Sequence, residues 1–159
     1  MERIIRLNKN FVDRLSNIDL ESGHNNDKEE GISEKSMKKS IKKRLNSNEI
    51  FFGYEENREL KGYVTLKPFF PGHLHCEIFW LAVKKKYQGK GIGTMLVKFI
   101  EEYAKKKGFR AAFVYTNKNM KTARNFYEKL GYKFINEFHG YYGYKNKNNN
   151  TAVLYGKRF

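Results

Sequence analysis

Three glycines, Gly89, Gly91 and Gly93, fall within five positions and a strongly helical run follows at once. A helix N-terminus carries unpaired backbone N–H groups and a partial positive charge. A preceding loop that bends its own N–H groups toward the same point makes a socket for an anion. Side chains would block the closest approach, so glycine belongs where backbone meets oxyanion. The run Gly89-Lys90-Gly91-Ile92-Gly93 is not the G-x-G-x-x-G of dinucleotide sites, and there is no G-x-x-x-x-G-K-S/T element. On spacing alone, the glycines also fit a tight turn with no ligand.

A second group precedes the loop. His73, His75 and Glu77 alternate, so one strand face can carry all three. A metal is conceivable there, but His-x-His-x-Glu has no supporting ligands nearby and none is expected. Glu77 sits between apolar strand residues, where desolvation should raise its pKa and suit it to accept a proton. His75 is the alternative base. Cys76 lies among apolar neighbours and reads as buried.

These residues need a frame to hold them. Residues 3–8 read as a strand. Phe11, Val12, Leu15 and Ile18 have helical spacing over 9–22, and 23–33 is a polar loop. Ser33 can cap a basic amphipathic helix carrying Met37, Ile41 and Leu45. Strand-like runs follow at 49–56 and 59–70, turned at Asn57-Arg58. Residues 74–83 form the most apolar strand, as expected of one covered on both faces. After the glycine loop comes a helix over about 92–107, with Ile92, Leu96, Phe99, Ile100, Tyr103 and Ala104 on one face and Gly108 as its stop. A strand at 110–116, a helix at 119–130 and two final strands at 132–144 and 151–159 complete the chain, the last pair joined by an Asn/Lys-rich loop at 145–150. This order predicts an α/β fold, a single mixed central sheet flanked by helices, in one domain spanning residues 1–159.

The chain has 159 residues and a formal net charge of +15, carried mostly by scattered lysines. Scattered lysines read as solvated faces more readily than as a nucleic-acid surface. The single cysteine excludes an intrachain disulfide. No apolar run reaches the roughly 18 residues of a membrane span, and the N-terminus lacks a signal-peptide core. The expected setting is soluble and cytoplasmic.

The stretch Leu81-Ala82-Val83 followed by Gln88-Gly89-Lys90-Gly91-Ile92-Gly93 resembles the pyrophosphate loop of the GNAT family of N-acetyltransferases. That family's pattern is Gln/Arg-x-x-Gly-x-Gly/Ala after an apolar strand, with acetyl-coenzyme A (acetyl-CoA) as ligand. Gln88, Gly91 and Gly93 hold the three positions. The block from Ala123 through Tyr127 to Gly131-Tyr132 is similar to the family's later helix. The family's Asn three residues before that Ala is Met120 here, so the resemblance gives its role to Asn119 or Asn117.

The resemblance implies a GNAT fold with a splayed parallel strand pair. Backbone N–H groups of Gln88, Gly89, Lys90, Gly91, Ile92, Gly93 and Thr94 would bind the coenzyme pyrophosphate. Backbone near Leu81 and Val83 would pair with the pantetheine, and Lys84–Lys86 and Lys90 would flank the phosphates. Glu77, opening the Glu-Ile-x-x-x-Ala-Val pattern, would be the base. Tyr127 would be the acid that protonates the coenzyme sulfur, although its helix position also suits a core tyrosine. The acceptor implied is a primary amine on a protein N-terminus, a lysine or a small molecule, attacking directly. Segments 20–33 and 138–147 would line its side, where Tyr141-Tyr142 could wall an amine-bearing chain. The alternative is a non-catalytic module of the same fold that contacts nucleic acid through its basic surface.

Overall fold

The computed structural model describes residues 1–23, 33–143 and 150–159. Its elements follow the predicted order: β1 (Glu2–Arg6), α1 (Val12–Ser22), α2 (Glu34–Leu45), β2 (Ile50–Glu56), β3 (Glu59–Pro68), β4 (His75–Val83), α3 (Ile92–Lys106), β5 (Ala111–Asn117), α4 (Lys121–Lys129), β6 (Lys133–Phe138) and β7 (Ala152–Arg158). The hydrogen-bonded strand order is β1-β2-β3-β4-β5-β7-β6. β1–β2, β2–β3, β5–β7 and β6–β7 pair antiparallel, and β4–β5 pairs parallel.

The chain divides into two compact units, and β4 and α3 each contribute residues to both. The first comprises Met1–Pro68 and Ile78–Tyr103. Its β2–β3 hairpin turns on Asn57 (φ 51°) and Arg58 (φ 65°), with Glu56 opposite Glu59. Two consecutive left-handed residues match the twist of the strands they join. Ser33 Oγ accepts from Ser36 N at 3.1 Å and so starts α2. Val12, Leu15 and Ile18 of α1 and Met37 and Ile41 of α2 pack with Phe51, Tyr63 and Ala82 of the strands.

Polar side chains also link these layers. Buried Asp19 on α1 accepts from Tyr63 Oη at 2.8 Å and Trp80 Nε1 at 2.9 Å. Arg44 forks onto Glu49 and reaches Thr65 Oγ1 at 3.1 Å, over the rings of Phe51, Phe79 and Trp80.

The second unit comprises Phe69–Glu77 and Ala104–Phe159. The parallel register pairs His75, Cys76 and Glu77 with Ala111, Ala112 and Phe113. It goes no further, although β4 runs on to Val83 and β5 to Asn117. β5 pairs along its full length with β7, which pairs in turn with β6. α4 is tied to β7 through Tyr155, whose hydroxyl donates to Glu128 at 2.8 Å and accepts from Arg124 Nε at 3.1 Å.

Two sequence expectations shift. On α3, Val97 is fully buried and Phe99 is 36% exposed, its ring meeting Phe52 edge-on at 5.0 Å. The sixth strand stops at Phe138, and Tyr141 and Tyr142 lie in a turn rather than a strand. The expectations for 24–32 and 144–149 fall outside the described residues.

Candidate active site

In the first unit, β4 ends at Val83 and a 3-10 turn over Lys85–Tyr87 leads into the glycine loop. Gly89 has φ 75° and Gly91 φ 82°, both in the left-handed region where side chains are strained. A Cβ built on either would have nothing within 4 Å. No protein atom therefore requires glycine there; the space beside the backbone is open. The first helical bond of α3 is Met95 N to Gly91 O at 3.0 Å. The N–H groups of Ile92, Gly93 and Thr94 precede it and have no partner within the helix. These N–H groups lie at the positive end of a 15-residue helix, while the Gln88 N–H is taken by Lys85 O at 3.2 Å.

Two struts hold this loop, and neither is visible in the sequence motif. The Gln88 carboxamide donates to Val83 O at 2.9 Å and to Ser22 O, at the end of α1, at 2.8 Å. Its side chain is therefore spent on protein. Glu59 at the start of β3 accepts from Tyr87 Oη at 2.6 Å and pairs with Lys84 and Lys86 at 3.2 Å each. The Tyr87 hydrogen bond, helped by these lysines, lowers the Glu59 pKa to about 2. Lys84 and Lys86 are thus committed to Glu59. Lys85 and Lys90 show no ion pair among the described residues, and Lys90 lies over the Tyr87 ring at 5.5 Å. Leu81 is half-buried on β4, and the Val83 carbonyl is already used by Gln88.

The second unit holds the other sequence candidates. Glu77 is 6% exposed and sits on the last paired position of β4, opposite Phe113. Its charge reaches the hydroxyls of Tyr115 and Tyr141. Burial is the larger cause raising both pKa values, and Glu77 adds to it. Tyr115 and Tyr141 stack at 5.0 Å with 15° between their planes. The sequence motif named Tyr141 but not Tyr115, which shows only as an alternate position on an apolar strand. His75 packs edge-on against Phe113 at 5.4 Å. Cys76 is fully buried, its thiol directed at Ala111 O at 3.6 Å.

Tyr127 lies on α4, buried, with its ring against Phe126 at 5.1 Å and Tyr132 at 5.5 Å. Burial alone pushes its pKa well up, so the phenol keeps its proton at neutral pH. Asn117 Oδ1 accepts from Asn119 N at 2.9 Å in the turn that opens α4, so Asn117 builds that turn and Asn119 rides on it. Among the described residues no group of three or more His, Cys, Asp or Glu could hold a metal.

The fold is an α/β sheet with one parallel strand pair and an open glycine loop before α3. Residues 14–132 match the acetyltransferase (GNAT) family, and the chain belongs to that family. It is 34% identical over 89 residues to "Probable N-acetyltransferase 14" of Xenopus tropicalis, a match covering 56% of this chain and 43% of the relative. The chain thus spans less than half the length of that curated relative. The fold is close to the ribosomal-protein-S18-alanine N-acetyltransferase of Escherichia coli (TM-score 0.81, 17% identity, 99% and 94% of the two chains). It is also close to the PaiA N-acetyltransferase of Thermoplasma acidophilum, solved in complex with coenzyme A (TM-score 0.76, 20% identity, 100% and 99%). Among the described residues no helix is long and apolar enough to cross a membrane.

Proposed function

We propose that the chain is an acetyl-CoA-dependent N-acetyltransferase that moves the acetyl group directly to a primary amine. The observation that carries this reading is the glycine loop. Gly89 and Gly91 adopt left-handed backbone with open space at both Cβ positions, immediately before the N-terminus of α3. The main-chain N–H groups of Gly89 to Thr94 bind the pyrophosphate of the coenzyme, and that of Gln88, expected among them from the sequence, is instead donated to Lys85 O. Backbone along Leu81–Val83 lies beside its pantetheine arm, with the Val83 carbonyl already taken by Gln88, Lys85 and Lys90 supply nearby positive charge, and Asn119 contributes from the turn before α4. Membership of the GNAT family and the coenzyme A held by the Thermoplasma neighbour support the assignment.

The residues then divide the chemistry. The acceptor arrives as an ammonium ion and Glu77 takes one proton from it. The neutral nitrogen attacks the thioester carbonyl, which a main-chain N–H near Val83 polarises. A C–N bond forms and the C–S bond breaks. Tyr127 gives its phenolic proton to the departing thiolate, and the proton shed by the acylated nitrogen restores the phenol. Glu77 returns its proton to solvent, so the balance is one amide, one thiol and one proton. Cys76, buried in the strand, takes no part. The cytoplasmic setting rests on the single buried cysteine and is part of this proposal.

The test is thiol release from acetyl-CoA with a panel of amines and peptides, alongside calorimetric binding of acetyl-CoA. One binding site and amine-dependent thiol release are expected. Absence of coenzyme binding, together with salt-sensitive binding of DNA or RNA, would replace this reading with the nucleic-acid module.

A further inference from the structure

The Asn57-Arg58 turn lines an open cleft of about 240 Å³ in the first unit, together with Arg14 and Asn17 of α1, Glu59 at the start of β3 and Lys84 just after β4. At roughly 30 Å³ per water, that is the volume of about eight water molecules. It holds a small molecule rather than a coenzyme.

Charge is out of balance around this cleft. Glu55 serves both Arg3 and Arg14, at 2.7 Å and 3.1 Å. Glu59 serves both Lys84 and Lys86, at 3.2 Å each, and Lys84 also nears Glu21 at 3.7 Å. Glu56 is taken by Lys61. Each carboxylate of the hairpin thus has a cation already, and Arg58 has no ion pair among the described residues. Six cations meet four carboxylates here, an excess of two positive charges. Hydrogen-bond donors are left over as well. Arg14 spends Nη2 on Glu55 and on the Arg58 carbonyl at 3.0 Å, so Nε and Nη1 keep their N–H groups. Asn57 spends its carboxamide oxygen on the Met1 nitrogen at 3.2 Å, which leaves its NH2. The Asn17 carboxamide has no protein partner among the described residues.

The backbone points the same way. Arg58 has φ 65°, at the position where a two-residue hairpin turn favours glycine after asparagine. A long side chain in the left-handed region is strained, and strain of this kind gathers at functional sites. No protein partner of the guanidinium offsets it among the described residues.

We propose that Arg58, Arg14, Asn17 and Asn57 form a binding site for a small oxyanion with two negative charges, a phosphate monoester or a dicarboxylate. A guanidinium offers paired N–H donors that match either group. None of these residues belongs to the glycine loop, and the site does not depend on the transferase reading.

The test is calorimetric titration of the full chain, at low salt and neutral pH, with inorganic phosphate, succinate and acetate. Phosphate or succinate should saturate a site, and the tighter of the two tells which group the natural ligand carries. Acetate, one charge short, should bind roughly tenfold or more weaker. Arg58→Gly should weaken the site by roughly tenfold or more, since charge-assisted hydrogen bonds are lost. The same variant should melt about 2–4 °C higher, because glycine relieves the left-handed backbone. An arginine that only shaped the turn would not combine these two effects. Asn17→Ala should weaken the site about two- to tenfold without lowering the melt. The phosphate binding that Arg58→Gly removes should persist in Gly91→Leu, which separates this cleft from the glycine loop. No saturable binding of either dianion, binding that Arg58→Gly leaves intact, or binding that Gly91→Leu abolishes would overturn the site. So would an Arg58→Gly protein that melts below the parent, since the arginine would then serve the turn.

Discussion

Replacing Gly91 by leucine separates the cost to the fold from the cost to the ligand. The residue has φ 82° and open space around its Cβ position. The fold therefore loses only the left-handed backbone penalty, roughly 1–2 kcal/mol, which at this chain length lowers the melting temperature by about 2–8 °C. The ligand loses more. A side chain at Gly91 stands between the main-chain donors and an approaching phosphate. Two charge-assisted hydrogen bonds at about 1.5–3 kcal/mol each amount to about 3–6 kcal/mol, or roughly 10²- to 10⁴-fold in affinity. Gly108, beyond the C-terminus of α3, supplies a matched control, with φ 87° and equally open surroundings. Calorimetric titration with acetyl-CoA and a thermal melt should be run on Gly91→Leu and Gly108→Leu together. Both should melt lower by similar amounts, and only Gly91→Leu should lose coenzyme binding. If Gly91→Leu binds within about threefold of the parent protein, the glycines serve a turn and the socket argument fails.

Tyr127→Phe should slow turnover by roughly 10²-fold, the lower end for acid–base assistance, while acetyl-CoA affinity stays level, because the ring keeps its packing on Phe126 and Tyr132; an unchanged kcat would remove the phenol from the mechanism. Glu59 has a folded-state pKa depressed to about 2, so its contribution to stability is present above the unfolded carboxylate value near 4.5 and is lost as pH falls toward 2. Acid melts of Glu59→Gln should therefore show a smaller loss of stability over that window than the parent, together with weaker coenzyme binding at neutral pH as the segment before the loop loosens. Arg44→Met strands Glu49, whose side chain is 1% exposed, and should cost about 3–5 kcal/mol, read by urea denaturation. Adding Glu49→Leu should restore much of the loss, and an Arg44→Met protein as stable as the parent would show that the pair holds nothing.

The parts of this fold legible in the sequence are those fixed by neighbours along the chain. Helical spacing marks α3, the Asn57-Arg58 pair marks the hairpin, and three crowded glycines mark the loop before α3 in which Gly89 and Gly91 are left-handed. Features decided by distant partners were hidden. Gln88 was visible as a motif residue, but its carboxamide reaches Ser22, 66 positions earlier. Glu59 looked like an ordinary strand residue, yet it grips Tyr87, 28 positions on. Tyr115 gives no local signal at all, and only the turn holding Tyr141 reveals what it stacks against. The misplacement of Phe99 has the same origin. Periodicity finds the apolar face of a helix, while the ring of Phe52 decides how far round that face extends.

A socket walled by peptide groups has a consequence for how such an enzyme would respond to its surroundings. Peptide amides neither gain nor lose a proton across the range in which cells live, so grip on the coenzyme would stay constant while side chains elsewhere titrate. Acidity would then be sensed only where nitrogen is made ready to attack, and a bench profile of rate against pH would report the amine and its carboxylate partner rather than loading.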